Sequence, residues 1–305
     1  MRNFNPKVTV IIPVYNGEQF LRTSIESILN QTYGNFNVLV IDDGSTDNSQ
    51  EIIKMYHDPR IKVLTNEKNQ GLVFSLNRGL DCSDGDYAAR MDCDDFSLPT
   101  RLEKQVEFME SNPDVGVCGT WYSVYDESLS NEMYTANLAV NPEEIRTVLF
   151  FCCCLCHPST MLRLSYFNKF QLRYNKSDLH AEDYGLWVRC SRLFQLANIP
   201  EVLLHYRLSP KGICYTHRSE QMASTGRILI ENLKNLGIQR SDNEFLRLHC
   251  KIILGKDKLG GSADKIRIRE WFNKLREANK TTGYYPEREF TDLLKMSIFQ
   301  VCDCF

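Results

Sequence analysis

No stretch of this 305-residue chain reaches the roughly 18 consecutive apolar residues that a membrane-spanning helix needs. The opening residues MRNFNPKVTVIIPVYN hold only a short apolar run, without the long apolar centre or small-residue cleavage site of a secretory signal. The expected setting is therefore the reducing cytoplasm. A dominant charge is missing too: the net charge of −3 offers no general basic surface, so nucleic acid is not an expected partner. Paired C-x-x-C motifs are absent, so the twelve cysteines do not make a zinc site. Nor does a chain this long, with 43% hydrophobic residues, need a disulfide framework. The run FCCCLCHP, Phe151 to Pro158, is better understood as buried thiols acting as small hydrophobes. Internal repeats and low-complexity tracts are lacking. The first apolar run leads into PVYNGEQF, which is not the glycine-rich, basic phosphate loop of a sugar nucleotidyltransferase.

What remains is an ordinary soluble composition, 25% charged, long enough for one large domain and a smaller one. Its charge is unevenly spread: residues 1–217 carry 20 Lys and Arg against 27 Asp and Glu, whereas residues 218–305 carry 16 against 12. VTVIIPVY and FNVLVIDDGS read as strands buried on both faces. Between them, GEQFLRTSIESILNQ places apolar residues at helical spacing. The alternation continues through helix TDNSQEIIKMYH, strand IKVLTN, helix GLVFSLNRGLDC and strand YAARM, which predicts an α/β domain with a mostly parallel sheet. GVCGTWYSVYD and CCCLCHPSTMLR are expected as later strands, and EDYGLWVRCSRL as a helix that starts at its acidic pair. From about Ser219 the texture turns helical, so the expected division is a catalytic domain over 1–218 and a helical extension over 219–305.

YAARMDCDDFSLP crowds Asp92, Asp94 and Asp95 into four positions at the end of a predicted strand. Close carboxylates raise one another's pKa unless a cation or water intervenes. A solvated turn that caps the next helix is one reading. The other is a site for a hard cation such as Mg²⁺ or Mn²⁺, which keeps positions open for phosphates. Parallel sheets bind ligands beyond the carboxyl ends of their strands, and Tyr15-Asn16, Asp42-Asp43-Gly44 and the aspartate cluster all fall at that edge.

Four stretches in order, VTVIIPVYNGEQFLRTSIESILNQTYGNFNVLVIDDGSTDNS, NQGLVFSLNRGL, YAARMDCDDFSLPTRLEKQV and AEDYGLWVRC, make the chain resemble the family 2 glycosyltransferases over roughly residues 7–210. The resemblance implies a GT-A fold, a Rossmann-like mostly parallel central sheet flanked by helices, here with a C-terminal helical extension. It also implies a nucleotide-sugar donor, with a lean to UDP, a divalent metal, Mn²⁺ or Mg²⁺, and inversion at the anomeric carbon. Its D-x-D motif falls on Asp92 and Asp94, with Asp94 the direct metal ligand and Asp92 reaching the metal through water or the ribose. Asp43 would accept from the base, Tyr15 would stack on it beside Pro13 and Asn16, and Arg90 would meet the diphosphate. The family's catalytic base maps onto Asp183, with Glu182 beside it; His157 would border the acceptor, and Trp187 is best read as core, with the acceptor-side sugar pocket as its alternative place. Ser209 stands where many relatives carry a third metal ligand, a histidine, and His205 and His217 are weak substitutes.

The expectation is thus an inverting, non-processive transferase acting on a glycan or lipid-linked glycan; a non-catalytic sugar-nucleotide-binding or scaffold protein is the alternative. A processive synthase would carry transmembrane helices and a Q-x-x-R-W motif, and neither is present. In the tail, Ile266, Ile268, Trp271, Phe272 and Leu275 interleave with Lys265, Arg267, Arg269, Lys274 and Arg276. Such a face suits an anionic membrane surface if it is free, and a core or homodimer contact if it is covered.

Overall fold

The computed structural model describes residues 5–209, 216–239, 243–254 and 262–295. A nine-stranded sheet forms its centre, in the order β3-β2-β1-β4-β8-β6-β9-β5, with β7 paired to β6. The first half is the parallel unit: β1 (Val8–Val14), β2 (Phe36–Asp42), β3 (Ile61–Thr65) and β4 (Tyr87–Arg90). Helices α1 (Leu21–Leu29), α2 (Ser49–Lys54) and α3 (Leu72–Asp81) make the crossovers. Beyond β4 lie β5 (Phe96–Ser97), helix α4 (Arg101–Ser111), β6 (Val115–Tyr125), β7 (Glu132–Ala136), helices α5 (Pro142–Val148) and α6 (Leu164–Lys169) flanking β8 (Met161–Arg163), helix α7 (Glu182–Cys190) and β9 (Gln195–Arg207). β6 and β9 run with the first four strands, while β5, β7 and β8 oppose their neighbours. The sheet is therefore mostly parallel.

Side chains alternate along the central strands, so each β-branched run feeds two cores. Val10, Ile12, Val38 and Val40 pack against α1, α2 and α4, while Ile11, Leu39 and Ile41 face α3 on the other side. At Gly79 of α3 a Cβ would lie 2.6 Å from Ile11, so that helix sits on the sheet because glycine lets it.

The cysteine-rich segment differs from its expected strand form. Only Met161–Arg163 forms a strand, and a short 3₁₀ turn, His157–Ser159, precedes it. Cys152, Cys154 and Cys156 are buried among apolar neighbours, and none of the nine cysteines among the described residues forms a disulfide. Cys214, Cys302 and Cys304 lie outside the described residues.

The tail forms helices α8 (Arg218–Asn235), α9 (Asn243–Leu254), α10 (Ser262–Thr282) and α11 (Glu287–Lys295). They share one continuous hydrophobic cluster with α3, α5 and α7. Phe150 is the hinge pin of that contact, its ring 5.2 Å from those of His249 and Tyr285 and 5.3 Å from Phe290. Asn232 donates to the Leu149 carbonyl at 2.9 Å. Ile268, Trp271 and Leu275 are buried in this cluster and only Ile266, 60% exposed, points outward. The apolar face that would have lain on a membrane is used by the core. Among the described residues no helix is long and apolar enough to cross a membrane.

Candidate active site

The carboxyl ends of β1, β2 and β4 bring the polar clusters together. Tyr15 follows β1 and is 47% exposed, so its ring is available for stacking rather than consumed by the core. Asn16 takes a left-handed backbone, φ 52°, and its side chain accepts the Thr46 N–H at 2.8 Å, which laces the loop after β1 to the loop after β2. Pro13 lies inside β1, paired with Ile41. Gly44 also has positive φ, and a Cβ there would meet the Lys68 backbone at 2.7 Å. Only glycine makes this turn without displacing the neighbouring loop.

Asp43 is buried and heavily engaged. It accepts from the Asn66 side chain, from the Gln70 N–H at 3.0 Å and from the Gly71 N–H at 2.8 Å. A carboxylate has about four acceptor positions, so roughly one is left for a ligand.

The aspartate cluster is different. One carboxylate oxygen from each of Asp92, Asp94 and Asp95 lies within 4.8 Å of the others. Asp95 accepts the Arg207 N–H at 2.8 Å through Oδ1, while its buried Oδ2 has no hydrogen-bond partner. Burial, with Asp92 beside it, pushes Asp94 up to about 6. Burial followed by repulsion from Asp94 and Asp92 raises Asp95 further. An orphaned buried oxygen among crowded carboxylates fits a hard divalent cation, whose charge would satisfy both. Neither His205 nor His217 belongs to this group: His205 stacks on Phe96 and Tyr125, and His217 sits by His180.

Arg90, the last residue of β4, is buried and ion-paired with Asp92. Burial alone would lower its pKa; Asp92 outweighs that and keeps the guanidinium charged. Its field reaches both ways, to Asp94 and Asp95 on one side and to Glu182 and Asp183 on the other. One fixed cation, paired with Asp92, therefore acts on both the cluster and the acidic start of α7.

Asp183 accepts the N–H of Tyr184 at 2.7 Å and faces the Cys153 thiol at 3.8 Å. Burial raises its pKa above the ordinary aspartate range, against the pull of that N–H and of Arg90. Glu182 is pushed up to about 7 by burial and then by Asp183. Both are carboxylates made more basic by their surroundings, as a group that takes a proton needs. His157 is buried, its Nε2 bonded to the Tyr174 hydroxyl at 2.8 Å, and burial and then Arg90 keep its imidazole neutral. Trp187 lies in the core and does not line an acceptor-side pocket. It is fully buried, edge-on to His157 at 6.0 Å, because its position one turn into α7 points it at the core; it supports His157 and has no surface for an acceptor.

Sequence reasoning missed two residues here. Arg207 holds the aspartate loop: its N–H serves Asp95, its Nε donates to the Asp94 carbonyl at 2.6 Å, and it also reaches the Glu127 carbonyl. Arg101, buried in α4, donates to the Arg90 carbonyl at 2.6 Å. A buried arginine is costly without partners; the aspartate partners of Arg207 lie more than a hundred residues away, and Arg101 meets Arg90 only once β4 and α4 have packed, so the sequence marks neither residue.

The architecture and its acidic sheet edge are those of a GT-A glycosyltransferase, and comparison with known proteins carries this to the family. The model of glycosyl transferase family 2 matches residues 9–171, and the chain belongs to that family. An uncharacterized glycosyltransferase of Haemophilus influenzae is 36% identical over 239 residues, 75% of this chain and 73% of its own length. The Escherichia coli UDP-Glc:alpha-D-GlcNAc-diphosphoundecaprenol beta-1,3-glucosyltransferase WfgD is 31% identical over 208 residues, 68% of this chain and 79% of its own. Among solved structures, S. aureus TarS 1-349 in complex with UDP-GlcNAc superposes with TM-score 0.60 at 18% identity, covering 97% of this chain and 88% of that one. The mannosyltransferase PcManGT from Pyrobaculum calidifontis, in complex with GDP-Man and Mn²⁺, gives 0.59 at 15%, covering 99% and 87%. At these identities the two structures establish the fold.

Proposed function

We propose that this chain is an inverting, non-processive glycosyltransferase that moves a hexosyl or N-acetylhexosaminyl group from a UDP-sugar to a hydroxyl of a glycan or lipid-linked glycan. The observation that carries the proposal is Arg90, a buried cation paired with Asp92 of the crowded aspartates and acting also on the raised pair Glu182 and Asp183. Such an arrangement suits a reaction in which a diphosphate leaves on one side while a hydroxyl loses a proton on the other.

In this mechanism Tyr15 stacks on the base and the remaining acceptor position of Asp43 takes its N–H, with the Pro13 and Asn16 backbone alongside. Asp94 and Asp92 would hold Mg²⁺ or Mn²⁺, which when bound supplies positive charge to the departing diphosphate. Arg90 adds a fixed guanidinium on the same side, already oriented and therefore needing no reorganisation as charge develops. Asp183 accepts the proton of the acceptor hydroxyl, whose own pKa is far too high for unaided attack at neutral pH. His157, neutral and held by Tyr174, offers a hydrogen-bonding edge near the acceptor. The UDP assignment is supported by the donors named for WfgD and for the TarS complex, against the GDP-Man of PcManGT. The lipid-linked acceptor is supported by the name of WfgD.

The test is a screen of nucleotide sugars for metal-dependent release of nucleoside diphosphate, with a lipid-linked or soluble glycan acceptor present. UDP release that requires both the acceptor and a divalent ion is expected. Tight donor binding with no turnover on any acceptor would favour the non-catalytic alternative, and turnover undiminished in EDTA would remove the metal from the scheme.

A further inference from the structure

A second group of metal-ligating side chains lies outside the aspartate cluster. His180, in the connection between α6 and α7, meets His217 and Glu220 at the start of α8. The imidazole rings stack with centroids 4.5 Å apart and planes 21° from parallel. Both direct a nitrogen at one oxygen: His180 Nε2 lies 3.4 Å and His217 Nδ1 2.7 Å from Glu220 Oε2. The three ligand atoms all fall within 4.8 Å of one another.

We infer that His180, His217 and Glu220 form a site for a zinc-class divalent ion, with water as the fourth ligand, that ties the start of α8 to the loop leading into Asp183. Tetrahedral zinc with bonds of about 2.0–2.2 Å sets its ligand atoms roughly 3.3–3.6 Å apart. The His180–Glu220 separation already has that value, and the His217–Glu220 contact is an N–H···O bond that opens by less than ~1 Å when an ion replaces the proton. Two imidazoles with one carboxylate select zinc, cobalt or nickel over magnesium, the reverse of the all-oxygen aspartate cluster. Side-chain exposure of 49% at His217 and 55% at Glu220 leaves an entry path and room for water, while His180 is largely covered. The protein already braces this junction without the ion. Gln221 donates to the His180 carbonyl at 3.0 Å and Arg227 to the Ser177 carbonyl at 2.5 Å, so the ligands are held near one another before binding.

The competing account is a plain hydrogen-bonded cap on α8, and the experiment separates the two. Full-length protein with its thiols reduced, in excess Mg²⁺ to fill the aspartate cluster, is titrated with Co²⁺ and read by visible absorption. Expected is about one equivalent with the strong bands of a tetrahedral nitrogen and oxygen site, and a zinc-dependent rise in Tm. His180→Asn, which tolerates the left-handed backbone at φ 63°, should bind far more weakly, as should His217→Gln. Either loss should be at least ~10-fold, since disturbing even an outer-shell partner of a metal ligand costs that much. Asp94→Asn should bind Co²⁺ as the wild type does. A wild-type protein without tetrahedral bands would overturn the inference. So would bands that survive the double histidine variant, or bands accompanied by the near-ultraviolet charge transfer of a thiolate ligand.

Discussion

Two acidic loops sit side by side at the same sheet edge, and the protein treats them in opposite ways. Asp42 and Asp43 are furnished with donors: Asp42 takes the Ser45 N–H at 3.1 Å and the Gln50 side chain at 2.8 Å, and Asp43 takes three more. In the aspartate cluster Asp92 has Arg90, but burial and carboxylate repulsion still raise Asp94 and Asp95, and a buried oxygen of Asp95 is unbonded. Buried polar groups are nearly always satisfied, so the three donors on Asp43 mark a carboxylate fixed in place with about one position left over, while the deficit at the aspartate cluster marks carboxylates that lack a counter-charge. The completed loop gains rigidity; the deficient one gains affinity for a cation.

The largest effect should come at Asp183, the proposed proton acceptor. Asp183→Asn is expected to lower transfer about 10²- to 10⁴-fold while donor and metal affinity stay near wild type. Equilibrium UDP binding measured beside single-turnover transfer checks this, and an equal loss of both would move Asp183 into the scaffold. Asp94→Asn should reduce turnover about 10²- to 10³-fold through lost electrostatic stabilisation. Its thermal stability should hold or rise, because one of three repelling charges has gone. Asp43→Asn inverts that pattern. An amide places a donor against the donors of Asn66, Gln70 or Gly71, so unfolding in urea should show a loss of about 2–3 kcal/mol. If Asp43→Asn proved as stable as wild type and Asp94→Asn unfolded, the contrast between the loops would be wrong.

The smallest effect is a shift along the pH axis. Asp183 must be ionised to accept a proton, and burial raises its pKa. With metal saturating, so that the aspartate cluster stays ionised, kcat/KM should fall tenfold per unit as pH drops through an acid limb placed above the ordinary aspartate value of about 3.9. A profile flat down to that ordinary value would show that another group takes the proton.

Much of this was legible in one dimension. The β-branched runs and the helical spacing between them announce a parallel α/β unit because both faces of its strands are buried, and buried strands leave no polar alternation to obscure them. The second half of the sheet was harder. Met161–Arg163 is a three-residue strand between partners from β4 and β6, too short to carry a period, so the cysteine run before it was mistaken for part of the strand. Of the site, Asp94 and Asp183 stand in recognisable motifs, whereas Arg207 serves Asp94 and Asp95 from more than a hundred residues away.

The tail shows where that boundary lies. Its interleaved Ile, Trp, Arg and Lys residues determine an amphipathic helix, since 3.6 residues per turn gather the apolar side chains on one face whatever surrounds it. Whether that face meets lipid or protein is not contained in the helix. Phe150, Phe290 and Tyr285 decide it by covering Trp271 and Leu275 from other segments of the chain. The same holds at the sheet edge: sequence alone placed three acidic residues after a strand, because the motif is local. Folding decided that Asp95 would keep a buried oxygen unbonded while Asp43 met three donors, because donors arrive from distant residues and only the packed structure counts them.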